Sequence, residues 1–145
     1  MKPLKIMLGL VLAASFSGVA SAHDYGGVLG TRTTATDKFY IVCAAGTRTM
    51  RYQVRRNSGV AQLKLCGLKS TAACPAANNT ITTRTGVFSP LKTIGTGAGA
   101  YFFTLTKTTR STVPNSYTVR AHCYDARGQH NPNSQPTVVR YLVNQ

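Results

Sequence analysis

Apolar residues recur at every second position through much of this chain, and no long segment keeps a 3.6-residue repeat, so the pattern predicts strands rather than helices. Phe39, Ile41 and Cys43 share one face of a first clear strand. Met50, Tyr52 and Val54 share a face in the next, with Arg51, Gln53 and Arg55 turned away. Asn57-Ser58-Gly59 has turn composition, and beyond it Leu63 and Leu65 alternate with Gln62 and Lys64. A weaker strand is expected within residues 80–85, and residues 95–99 read as a turn or loop. Tyr101, Phe103 and Leu105 line a Thr-rich strand. After the Pro114-Asn115 break, Tyr117, Val119, Ala121 and Cys123 point one way, and Arg120, His122 and Tyr124 the other. Residues 126–136 form a polar connection and residues 137–143 a last strand.

The amino terminus follows a different pattern. Lys2 and Lys5 precede an apolar or small stretch from Ile6 to Phe16, and Ala20-Ser21-Ala22 supplies the small residues that signal peptidase accepts. Residues 1–22 are therefore expected to be a cleaved secretory signal, with a mature domain of residues 23–145 beginning at His23. The apolar run is shorter than the roughly 20 residues a spanning helix needs, so the mature chain is expected to carry no transmembrane segment. A secreted or periplasmic location follows.

About seven short strands separated by turn signals predict an all-β, antiparallel β-sandwich. Cys43, Cys66, Cys74 and Cys123 all lie after the cut, and an even cysteine count in a small exported domain reads as two disulfides. Four cysteines allow three pairings. The strand reading favours Cys43–Cys123, because both fall on the apolar faces of their strands, and Cys66–Cys74, because a small Ser/Thr/Ala loop joins them. An early and a late cysteine in such strands resemble the immunoglobulin fold, which implies an immunoglobulin-like sandwich. The chain has no Trp, and Ala121 stands where the tyrosine-corner residue belongs, so the resemblance implies architecture and no function.

Charge narrows the partners. Loss of residues 1–22 removes two of the 17 basic side chains, and the remaining 15 face only Asp24, Asp37 and Asp125, a formal charge of +12 with histidine neutral. So one-sided a balance favours polyanions. Outside the cytosol these are anionic polysaccharide or a lipid phosphate surface rather than cytosolic nucleic acid. Arg51, Arg55, Lys64 and Arg120, with Arg48 and Arg56 beside them, occupy outward positions and are the candidate polyanion contacts. Exposed strand edges would also permit self-assembly.

The chain contains neither a C-x-x-C nor a finger-type Cys/His spacing for zinc, and no G-x-S-x-G, H-E-x-x-H or phosphate-loop motif. Three histidines remain: His23, His122 and His130. As the first residue, His23 would offer its α-amine and ring Nδ1 in one chelate, and another imidazole would complete a planar three-nitrogen set suited to Cu(II). This is similar to the histidine brace of lytic polysaccharide monooxygenases and certain periplasmic copper carriers. The resemblance rests on one residue and its position, and it implies copper as the cofactor. His130, in the polar connection, is the expected partner, with His122 next. The reading is thus a non-enzymatic exported binding protein with copper at His23, His130 and His122. A polyanion-binding or assembly protein is the alternative, and a secreted histidine-based nuclease a distant third.

Overall fold

The computed structural model describes residues 24–131 and 140–143, the last four for their backbone. The expected signal, residues 1–22, and His23 lie outside the described residues. Nine strands are described: β1 (Asp24–Leu29), β2 (Thr36–Cys43), β3 (Thr49–Arg56), β4 (Leu63–Leu68), β5 (Asn79–Ile81), β6 (Lys92–Ile94), β7 (Gly99–Lys107), β8 (Asn115–Tyr124) and β9 (Arg140–Val143). They build two antiparallel sheets, a four-stranded one ordered β1-β8-β3-β6 and a five-stranded one ordered β5-β4-β7-β2-β9. Among the described residues no helix is long and apolar enough to cross a membrane.

The two sheets pack face to face because their strands alternate strictly. Every second residue of β8 is buried, from Asn115 to Cys123, and β7 repeats the pattern through Tyr101, Phe103 and Leu105. Between the layers, Phe39 stacks on Phe103 within one sheet at 5.2 Å between centroids, while Tyr52 of the other meets Phe103 edge-on at 5.3 Å. Each such side chain, taken fully from water, contributes about 1.5–3 kcal/mol before ordering costs. Cys43 of β2 bonds to Cys123 of β8, so one disulfide ties the layers together through the core, as expected. The other, Cys66–Cys74, holds the loop after β4 against the outer face of the five-stranded sheet.

Within this sandwich the connections differ from those of an immunoglobulin domain. Consecutive strands repeatedly change sheet, which gives the two interlocked Greek keys of a jelly roll, extended by β9 on the free side of β2. The chain begins with a strand that the polar-apolar pattern leaves unread. β1 contains Gly26 and Gly27, which lower its strand propensity, yet it pairs with β8 along its whole length, from Asp24 opposite Arg120 to Leu29 opposite Asn115. Gly27 is required there. A Cβ at this position would overlap the hydroxyl of Tyr117 and lie 2.5 Å from its Cζ.

Two charged side chains are built into the interior. Asp37 accepts a hydrogen bond from the Tyr117 hydroxyl at 2.6 Å, linking β2 of one sheet to β8 of the other. The Lys107 ammonium donates to the carbonyls of Gly30, Ser111 and Val113 at 2.7, 3.0 and 2.9 Å, and its burial pulls its pKa below the usual lysine value. The three carbonyls satisfy the Lys107 ammonium, which thereby clamps the loops at one end of the sandwich.

Candidate functional site

The outer face of the four-stranded sheet collects most of the chemistry that the sequence singled out. Alternation turns Arg120, His122 and Tyr124 of β8 outward, and Arg51, Gln53 and Arg55 of β3 beside them. The register sets Arg51 opposite His122 and Gln53 opposite Arg120.

His130 reaches this face through a tight reversal. Asp125 Oδ1 accepts the backbone N–H groups of Arg127 and Gln129 at 2.8 and 2.9 Å, and Gly128 donates to the Asp125 carbonyl at 3.1 Å. Gly128 takes φ +73°, the left-handed conformation that a type I turn followed by a bulge demands. The chain then returns antiparallel, with His130 bridged to Tyr124. The His122 and His130 rings meet edge to face with centroids 5.1 Å apart, and Tyr124 adjoins both, at 6.1 and 6.4 Å. The Arg51 guanidinium lies over the Tyr124 ring at 4.3 Å.

The start of β1 borders the same cluster. Arg120 binds Asp24 in a bidentate ion pair, Nε–Oδ1 2.8 Å and Nη2–Oδ2 2.9 Å. That hydrogen-bonded guanidinium holds the Asp24 carboxyl below the ordinary aspartate range, and the charges of Arg55 and His122 act on it through space in the same direction. The residue following His23 is therefore within electrostatic reach of His122. Phe88, a lone aromatic in a loop that the pattern gave no reason to notice, packs against two guanidiniums. Arg120 Cζ is 4.3 Å and Arg55 Cζ 4.8 Å from its ring centre.

Two basic residues read as part of this surface lie elsewhere. Lys64 is on β4, in the other sheet, because the chain crosses between layers after β3; it faces outward on the opposite side of the molecule. Arg56 ends β3 and is spent on structure, donating to Thr85 Oγ1 at 3.0 Å and to the carbonyls of Val60 and Ala61 at 2.8 and 2.9 Å. The basic surface of this face is thus Arg51, Arg55 and Arg120.

Could the histidines hold a metal? An imidazole nitrogen binds such an ion at about 2 Å, which places the ring centres of two ligands on one ion roughly 4.5–6.5 Å apart. The observed 5.1 Å fits. Among the described residues no group of three or more His, Cys, Asp or Glu side chains is placed to hold a metal, so the described pair needs a further donor.

No protein-family model matches the chain, and comparison with curated proteins finds no match. Similar solved structures exist. A mitogen from Yersinia pseudotuberculosis aligns with a TM-score of 0.51 at 8% identity, over 83% of this chain and 94% of that one. The pre-peptidase C-terminal domain of a Bacillus anthracis collagenase aligns at 0.48 and 13% identity, over 69% and 88%. PliG of Aeromonas hydrophila, a periplasmic inhibitor of g-type lysozyme, aligns at 0.40 and 16% identity, over 69% and 87%. At such identities the likeness concerns the fold alone.

Proposed function

We propose that this is an exported binding protein that holds Cu(II) between an amino-terminal His23 and the His122–His130 pair. The observation that carries the reading is the approach of these two rings to 5.1 Å across a tight turn. Two further facts support it. Asp24, directly after His23, is paired to the same strand that bears His122. Two disulfides, which persist in oxidising compartments, agree with export. We infer binding rather than hydrolysis, because imidazoles in edge-to-face contact suit one shared ligand better than opposite sides of a phosphorus.

The test is a copper titration of the secreted protein, after intact mass has placed its first residue. A mass beginning at His23 and tight binding of one Cu(II) are expected, with Zn(II) weaker. An α-amine ordinarily titrates near 7.7–8.0 and an imidazole near 6.5, so affinity should fall as pH drops from about 7 to 5. One Ala inserted before His23 moves the amine and should abolish the chelate without unfolding the domain; His130→Ala and His122→Ala should each weaken it. Equal affinity of the extended protein, or a retained Met1, refutes the proposal.

A second reading is favoured by Arg51, Arg55 and Arg120 sharing one sheet face: binding to an anionic polysaccharide or lipid phosphate surface. It predicts retention on heparin that falls steeply with salt, lost in Arg51→Gln/Arg55→Gln and untouched by the histidine variants.

A further inference from the structure

The opposite side of the sandwich carries a different surface. The outer face of the five-stranded sheet forms a groove of about 480 Å³, walled on one side by the loop that the Cys66–Cys74 bond holds down. Its floor is Phe102 of β7 and Leu68 of β4, and Lys38 of β2 and Lys64 of β4 stand on either side of β7. The register places Lys38 opposite Thr104 and Lys64 opposite Thr106. Strands about 4.8 Å apart put the two lysine Cα atoms roughly 10–12 Å from each other. Each side chain spans about 6 Å on its four-carbon stem, so both ammoniums reach an anion set above the threonine hydroxyls.

Among the described residues no acidic side chain lines the groove. The chain's three acidic side chains are committed elsewhere: Asp24 to Arg120, Asp37 to the Tyr117 hydroxyl in the core, and Asp125 to the turn before His130. Among the described residues neither the Lys38 nor the Lys64 ammonium makes a hydrogen bond or ion pair. A concave site of this volume, with an apolar floor and a few convergent polar groups, has the form of a small-molecule site.

We propose that this groove binds a small organic anion with an apolar body, the acidic group resting between Lys38 and Lys64 over Thr104 and Thr106 and the body on Phe102 and Leu68. The site is separate from the histidine cluster and does not depend on copper. Charge complementarity selects the anion, and the floor selects against small inorganic ions, which would leave Phe102 and Leu68 uncovered.

The experiment uses the oxidised full-length secreted protein and two fluorescent probes, 8-anilinonaphthalene-1-sulfonate and its neutral counterpart N-phenyl-1-naphthylamine. The sulfonate should bind with one-site saturation and at least tenfold more tightly than the neutral probe. Lys38→Gln/Lys64→Gln should weaken the sulfonate tenfold or more and leave the neutral probe within twofold. Phe102→Ser should weaken both, and Arg51→Gln/Arg55→Gln on the far sheet should change neither. Competition by laurate but not decyl phosphate makes the natural acid a carboxylate, and the reverse makes it a phosphate. Unchanged sulfonate affinity in the double lysine variant overturns the proposal. Equal weakening by the arginine pair also overturns it, since binding would then follow net charge alone. If Phe102→Ser fails to fold, the lysine variant, at outward-facing positions outside the core, still decides.

Discussion

Tyr117 occupies a position where one hydroxyl serves two sheets, and removing it should be expensive for its size. Tyr117→Phe leaves Asp37, 1% exposed, without the 2.6 Å hydrogen bond to Oδ2. A bond of this kind to a charged group is worth about 1.5–3 kcal/mol. The same residue can be displaced from the other side. Gly27→Ala inserts a methyl 2.5 Å from Tyr117 Cζ, and overpacking of this kind costs about 1–3 kcal/mol. If the ring moves away from that methyl it also gives up Asp37, so Gly27→Ala should cost about 2.5–6 kcal/mol in all. In a Tyr117→Phe background the hydroxyl, the atom nearest the new methyl, is gone together with its hydrogen bond, and only the contact with the ring carbon remains, so the two changes should be coupled by at least about 1.5 kcal/mol. Urea denaturation of the oxidised proteins at pH 7 measures all four corners of the cycle. With a slope of roughly 2 kcal/mol per molar urea, Tyr117→Phe should lower the midpoint by about 1 M. The reasoning fails if Tyr117→Phe costs under about 0.5 kcal/mol, or if the two substitutions are additive.

Two other outcomes follow from features of the fold. Replacing Cys43 and Cys123 by Ala opens a loop with a sequence separation of 80, against 8 for Cys66 and Cys74; chain entropy predicts losses of about 4.5 and about 2.5 kcal/mol, and thermal melts that rank the pairs in the opposite order would contradict it. Asp24→Asn removes an ion pair about one-third exposed, so its cost at pH 7 should be no more than about 1 kcal/mol. Because Arg120 holds the Asp24 carboxyl below the ordinary value of 3.8, that contribution is complete above this pH and is lost as pH falls below it. The gap between parent and variant should therefore narrow in denaturant titrations as pH falls below 3.8, and a gap that stays constant to the lowest pH at which the domain folds would show that the pair is not its source.

The period-two pattern made the faces of β2, β3, β7 and β8 legible, because each has one wall in the core and one in water. It carried with them the cross-layer disulfide, which needs only two inward cysteines on facing sheets. β1 was hidden because its two glycines lower its strand propensity and because one of them, Gly27, makes room for the Tyr117 ring from another strand, a tertiary reason with no local trace. Lys64 shows the limit of the method. Alternation tells which way a side chain points relative to its own strand, but not which layer that strand joins, so an outward lysine was grouped with arginines on the far side of the molecule. The meeting of His122 and His130 has a local signal in the sequence. Asp125-Ala126-Arg127-Gly128, with Asp first and Gly fourth, has the composition of a tight type I reversal, and a hairpin at that point sets Tyr124 against His130. Phe88 and the groove above Phe102 required coordinates, since outward aromatics on separate segments carry no sign of what they will flank.

The nesting of the two disulfides also bears on how the protein is made. A polypeptide appears amino-end first, so Cys43 meets Cys66 and then Cys74 well before Cys123, its native partner 80 residues on, exists. Over the same interval β1 has no neighbour to pair with, since Asp24 must wait for Arg120. Oxidation in order of appearance joins Cys43 to Cys66, and only thiol–disulfide exchange can then release Cys66 to Cys74 and free Cys43 for the carboxy-terminal half. Yield in a producing cell should accordingly track isomerase capacity more closely than oxidant supply, and the bond that locks the layers together is the last correct one the chain can make.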